Sequence, residues 1–276
     1  MPFAQLGDLR MAYDLHGPDA PPPGRLPVLF VMGFGLSGRV WRFVLPEVPD
    51  RRLVTFDNRG AGQTDAPRGP YRMAQLARDA LALMDHLGLG RVHLVGVSMG
   101  GMVAQEMALA DTARFASLTL IATHPGGPAH RLPPPAGIWH FLGANFARSQ
   151  QRRLDAVARL LFPKAFRTEI GPEWLHRVLA EDFTPPAPAA GRKGQLAAVM
   201  RHDTRRRLPS LAGLPTLVIK PLQDKLVAPS GSDRLARMIP GARKLELPDA
   251  GHGLIRQKAS TLGEALRAHF AAAEAG

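Results

Sequence analysis

Val92-His93-Leu94-Val95-Gly96-Val97-Ser98-Met99-Gly100-Gly101-Met102 is the stretch that decides the fold. Val92 to Val97 is a near-continuous apolar run, as a strand buried on both faces requires. A helix follows directly, from Met99 to about Ala110. A strand that passes into a helix without a loop leaves one residue, Ser98, on a turn that strains the backbone. The residues two positions either side must be small, because strand and helix approach each other there; Gly96 and Gly100 supply that room. Gly96-Val97-Ser98-Met99-Gly100 thus fits G-x-S-x-G in the strand–turn–helix setting that gives the pattern meaning. There the hydroxyl projects above the sheet edge. The Met99 N–H, at the helix N-terminus, faces the place where charge would develop on an attacked carbonyl oxygen.

Working outward, strand and helix signals alternate on both sides, which predicts a parallel sheet. Leu9 to Leu15 alternates apolar and polar residues and predicts an early strand, paired with Phe3 to Leu6. Leu26 to Met32, Leu53 to Phe56 and Leu118 to Ala122 read as further strands, and Met73 to Leu87 as an amphipathic helix. After Leu208 the alternation resumes with strands at Thr216–Ile219 and Arg243–Leu247 and helices at Ser232–Met238 and Thr261–Ala272. Between His124 and Leu208 strand runs are missing, prolines cluster at 133–135 and 185–188, and helical stretches occur near Gln151–Phe162 and Trp174–Glu181. The expected organisation is an α/β core of residues 1–123 and 209–276 with a helical cap at 124–208.

A serine hydroxyl attacks a carbonyl only if a base takes its proton, and the base needs an orienting carboxylate. His252 lies in Asp249-Ala250-Gly251-His252-Gly253, just after the last predicted strand and flanked by glycines. Asp224 follows the Thr216–Ile219 strand, and the order nucleophile, acid, histidine is one in which such triads occur. Asp249 is the competing acid, but stands too close in sequence to His252 to come from a separate strand end. His202 and His269, at the end of the insertion and on the last helix, are weaker candidates for the base.

With these residues in place, the chain resembles the α/β-hydrolase superfamily, in particular small esterases, enol-lactone hydrolases and polyketide methylesterases. The resemblance is carried by Val92 to Met102, by Phe56-Asp57-Asn58-Arg59-Gly60-Ala61-Gly62, and by Pro248-Asp249-Ala250-Gly251-His252-Gly253. It implies a mostly parallel eight-stranded sheet with helices on both faces. It also implies a second oxyanion donor in Met32-Gly33-Phe34-Gly35, where the Phe34 N–H matches the donor position. Asp57 and Arg59 read as structural loop residues. Two features depart from the pattern: Met32 stands where the family often has His, and Lys220-Pro221-Leu222-Gln223 precedes the acid where the family is usually Gly-rich.

The expected function is hydrolysis of a carboxylic ester or lactone through an acyl-enzyme. C–C hydrolysis, perhydrolysis and acyl transfer by the same triad remain alternatives, as does a slow-turnover small-molecule receptor. Trp139, Phe141, Leu142 and Phe146 are the expected apolar lining from the cap. A different class is suggested by Gly33-Phe34-Gly35-Leu36-Ser37-Gly38, which satisfies G-x-G-x-x-G after a strand with Asp57 one strand later. That pattern would make the chain an NAD-dependent oxidoreductase, but it leaves Ser98, Asp224 and His252 unexplained.

Composition narrows the rest. The 276 residues carry a net charge of +12, yet the 35 Lys and Arg are scattered and lack interleaved aromatics, so no nucleic-acid partner is expected. With no cysteine there is no disulfide, thiolate nucleophile or Cys-based metal site. No clustered ligand set suggests a metal, and no cofactor is expected. No run approaches the roughly 18 apolar residues of a membrane span, and no secretory signal is evident, so a cytoplasmic location away from membranes is expected.

Overall fold

The computed structural model describes residues 1–128, 133–147, 149–183 and 186–275, without the side chains at 141 and 144–146. Eight strands form one sheet: β1 (Phe3–Leu6), β2 (Leu9–His16), β3 (Val28–Val31), β4 (Leu53–Phe56), β5 (Val92–Val97), β6 (Phe115–Ile121), β7 (Thr216–Pro221) and β8 (Arg243–Leu247). Their spatial order is β1-β2-β4-β3-β5-β6-β7-β8. β1 and β2 pair antiparallel, as does β2 with β4, and every later pairing is parallel. The expected mostly parallel sheet is therefore the one observed.

The pleat assigns the two faces. On β5, Val92 and Leu94 enter one core while Val95 and Val97 enter the other. The first core is covered by α1 (Met73–His86), α2 (Met99–Ala110) and α8 (Ser230–Met238). The second takes Trp41 from a short 3-10 helix at Gly38–Phe43, with Leu254 and Ile255 of α9 (Leu254–Gln257) and Leu262, Leu266 and Phe270 of α10 (Ala259–Ala275). Gly96 shares the face of Val92 and Leu94, and it is there that α2 crosses β5. Because α2 is buried almost all round, its Met102, Val103 and Met107 stabilise the join by about 1.5–3 kcal/mol each.

Among the described residues between β6 and β7 the chain forms α3 (Pro135–Phe146), α4 (Gln150–Leu161), α5 (Lys164–Ile170), α6 (Pro172–Asp182) and α7 (Ala189–Arg201), with one isolated antiparallel bridge between Gly126 and Asp203. Three of these are not evident from hydropathy: α3, which starts at Pro135, the short α5, and α7. Ala158, Phe162, Leu175 and Leu179 give the insertion a small apolar cluster of its own. Among the described residues no helix is long and apolar enough to cross a membrane.

Candidate active site

Ser98 follows β5 immediately and caps α2 with φ 55° and ψ −124°. Only one other non-glycine residue described, Ala122, has positive φ. Such a conformation costs on the order of 1–3 kcal/mol and persists only where its surroundings over-determine it. Here they do. The Ser98 N–H donates to the Ile121 carbonyl at 2.9 Å. Its carbonyl accepts from the Gly101 N–H at 2.9 Å and from Thr123 Oγ1 at 2.8 Å. The side chain is left half-buried between buried neighbours.

The glycines of the turn are needed sterically. A methyl group on Gly100 would run into the backbone carbonyls of Val31 and Met32, and one on Gly96 into the backbone of Gly100 and Gly101. None of these neighbours is a flexible side chain. Gly100→Ala is accordingly expected to destabilise the fold by about 1–3 kcal/mol, seen as a lower urea midpoint at unchanged m-value. An unchanged midpoint would show that β3 and α2 tolerate separation.

Two loops reach the same, C-terminal edge of the sheet. After β7, Asp224 is buried, and Oδ1 accepts the N–H groups of Leu226 and Val227 at 2.8 Å each. Its other oxygen, Oδ2, lies 2.7 Å from Nδ1 of His252, in the loop after β8. The structure thus brings Asp224 and His252 into direct contact, 28 residues apart in sequence, on the edge where Ser98 stands. Asp249 instead points to solvent and pairs with Lys258. His269 is buried and faces the Leu118 carbonyl. His202 is buried beside His124, and burial holds it at a pKa of about 4.

The loop after β3 lies against the serine: a Cβ on Gly33 would sit 3.3 Å from Ser98 Cβ. Phe34 follows. Among the described residues neither the Phe34 N–H nor the Met99 N–H has an acceptor, as expected for the first residue of a helix in the second case. Asn58 anchors the loop by donating from Nδ2 to the Met32 carbonyl at 2.8 Å.

The same geometry removes the dinucleotide reading. The Asp57 carboxylate is fully buried, and its two oxygens accept the Gly38 N–H and the Gln63 N–H at 2.8 Å each, leaving no acceptor turned outward for a ribose. The glycine-rich loop leads into a six-residue 3-10 helix, not into the long helix whose N-terminus would face a pyrophosphate. Arg59 makes a bidentate pair with Asp79 at 2.7 and 2.8 Å. Among the described residues no group of three or more acids and histidines is placed to hold a metal ion.

Of the expected apolar lining, two side chains are described. Trp139 is 79% exposed and Leu142 39%, while the side chains of Phe141 and Phe146 lie outside the described residues. α3 packs on α4 through Gly143, which faces Ala156, and Gly137 abuts the Lys225 carbonyl. Contact with the histidine loop comes from elsewhere in the insertion: the Gly253 N–H donates to the Leu161 carbonyl at 2.8 Å, and the Phe162 ring covers Gly253.

A direct Ser–His–acid contact set lies at the opposite end of the sheet, which shows why residue types alone do not make a site. His93 Nδ1 lies 2.8 Å from Ser117 Oγ and its Nε2 3.1 Å from Glu274 Oε1. Ser117 and His93 are fully buried near the N-terminal ends of β5 and β6, out of reach of any substrate. No sequence signal distinguishes this set, because its members lie inside two strands and a helix and not in loops after strands.

Comparison with known proteins agrees with the fold. Residues 27–259 match the family model of the alpha/beta hydrolase fold. A protein of Variovorax paradoxus named as a carbamate hydrolase is 30% identical over 243 residues, 87% of this chain and 88% of that one. The structure of a thermophilic esterase from Thermogutta terrifontis is similar at TM-score 0.78 and 27% identity, covering 98% of this chain and 96% of the other. An enol-lactonase from Burkholderia xenovorans shares the fold at TM-score 0.82 and 23% identity, over 98% and 100% of the two chains. The chain belongs to the α/β-hydrolase family, and it is a hydrolase.

Proposed function

We propose that the chain cleaves a carboxylic ester or lactone through an acyl-enzyme formed on Ser98. The observation that carries this reading is the Asp224–His252 contact on the sheet edge that bears a strained, half-buried Ser98. An ionised Asp224 accepts from Nδ1–H, which leaves Nε2 as the lone-pair nitrogen and hence as the base. His252 takes the Ser98 proton as Oγ attacks the carbonyl carbon. The carbonyl π pair moves to oxygen, where the Met99 and Phe34 N–H groups receive it. Collapse expels the alkoxide, which takes the proton from His252. Water, deprotonated by the same imidazole, then releases the acid and restores Ser98. The insertion at 124–208 acts as the cap over this site. The carbonyl chemistry named for the Variovorax and Thermogutta relatives is of this type, which supports the reading.

The test is covalent. A fluorophosphonate should modify the protein once, on the peptide that contains Ser98, and abolish turnover of short-chain p-nitrophenyl esters in step with labelling. Labelling elsewhere, or ester turnover that survives full labelling or the Ser98→Ala change, would overturn the assignment.

A further inference from the structure

Gln195 lies on α7, in the insertion, and is fully buried. Both ends of its amide are engaged. Oε1 accepts the Gly35 N–H at 2.8 Å, and Nε2 donates to the Arg59 carbonyl at 2.8 Å. These partners belong to two loops of the core, the one after β3 and the one after β4. α7 reaches them because glycines face the contact: Gly191 lies against Gly60, and Gly194 against the Tyr71 ring, where any Cβ would collide. The Tyr71 N–H adds a bond to the Gly194 carbonyl at 3.2 Å.

The position of Gly35 gives this contact its meaning. Asn58 ties the Met32 carbonyl and thereby the peptide plane between residues 32 and 33. Gln195 ties the plane between residues 34 and 35. The plane between them, 33–34, carries the Phe34 N–H. Gly35 has φ +68°, and a glycine in a loop moves readily among several basins unless something holds it. We infer that Gln195 is a positioning residue for the oxyanion loop: from the insertion it fixes the direction in which the Phe34 N–H points. The inference rests on the proposed role of Phe34 beside Ser98. An oxyanion donor contributes through being oriented before the charge forms, so loosening its loop weakens transition-state binding more than substrate binding.

Two substitutions test this. Gln195→Met keeps the length and removes both bonds. Gln195→Glu keeps the acceptor for Gly35 and loses the donor to Arg59. On a short activated ester, Gln195→Met should lower kcat by about 10–100-fold with KM changed less than about twofold, and Gln195→Glu should lower it less. The affinity of a trifluoromethyl ketone, whose adduct on Ser98 places an oxyanion in the hole, should fall by the same factor as kcat/KM. Glu274→Gln, which destabilises the fold far from the loop, serves as the control and should retain wild-type kcat. Unchanged kcat in Gln195→Met would overturn the proposal. So would a fall in kcat without a matching fall in inhibitor affinity, or an equal fall in Glu274→Gln. Full turnover by Ser98→Ala would instead remove the ester-hydrolase reading on which the proposal stands.

Discussion

His252→Ala is expected to lower kcat on short esters by about 10⁵–10⁶-fold, with the protein folded and its KM little changed. On the proposed mechanism, removing the imidazole removes the acceptor of the Ser98 proton, and a neutral hydroxyl attacks poorly. On the proposed mechanism nucleophile and base act in one step, so the double variant Ser98→Ala/His252→Ala should be no slower than either single variant. Asp224→Asn isolates the third member. In the wild type Asp224 Oδ1 receives two backbone N–H groups, so an asparagine would keep its oxygen there and turn its NH2 toward His252 Nδ1. Nδ1 would then become an acceptor and the proton would move to Nε2, the wrong tautomer to deprotonate serine. A loss in kcat of about 10⁴-fold is expected. Steady-state kinetics on p-nitrophenyl acetate measure all of these. An Asp224→Asn variant within tenfold of wild type would show that the carboxylate has no orienting role, and additive losses in the double variant would show that Ser98 and His252 act separately.

How much of this could be read from the chain depends on whether the constraint is local. The turn at Ser98 is local: the strain, the buried strand and the glycines all lie within a few residues, so the sequence displays them together. Asp224 and His252 are legible because each lies in the loop after a strand whose position follows from the alternation of strands and helices. Three helices of the insertion are not. In α3 a proline run conceals a start, since Pro135 occupies a first-turn position, where its missing N–H costs nothing. In α7, Gly191 and Gly194 lower helix propensity, and they are there for contacts with Gly60 and Tyr71 that the local pattern does not contain. Gln195 is hidden for the same reason: its partner Gly35 is 160 residues away.

The network at the other edge of the sheet supplies the largest expected effect on stability. Arg51, 1% exposed, places Nη1 2.6 Å from Glu274 Oε1 and Nη2 3.2 Å from Oε2. Glu274 also receives the Leu26 N–H at 3.0 Å and faces His93 Nε2 at 3.1 Å, joining the C-terminal helix to the start of the sheet. Burial alone would raise the Glu274 pKa, but the hydrogen bonds from Arg51, Leu26 and His93 outweigh it and hold the carboxyl at about 2, against its ordinary 4.5. Its folded value being the lower one, the stability it contributes is complete above about pH 4.5 and drains away as pH falls toward 2. A depression of that size corresponds to about 3 kcal/mol at neutral pH. His93 and His202 act in a second window. Burial lowers each to about 4 from 6.5, so the unfolded chain takes up protons first and stability declines as pH drops from 6.5 to 4. Glu274→Gln leaves the buried Arg51 with only the Asp50 carboxylate, 3.4 Å from its Nε, as counter-ion and should cost about 3 kcal/mol at pH 7. Because wild-type Glu274 itself loses about 2 kcal/mol of its contribution by pH 3, the gap between the two proteins should narrow below pH 4.5, while the decline between pH 6.5 and 4 persists in both. Urea unfolding at a series of pH values resolves the two windows. A gap that stays constant down to pH 3 would mean that Glu274 is not held ionised by Arg51, and that the C-terminal helix is kept in place by the stacking of Phe270 on His93 instead.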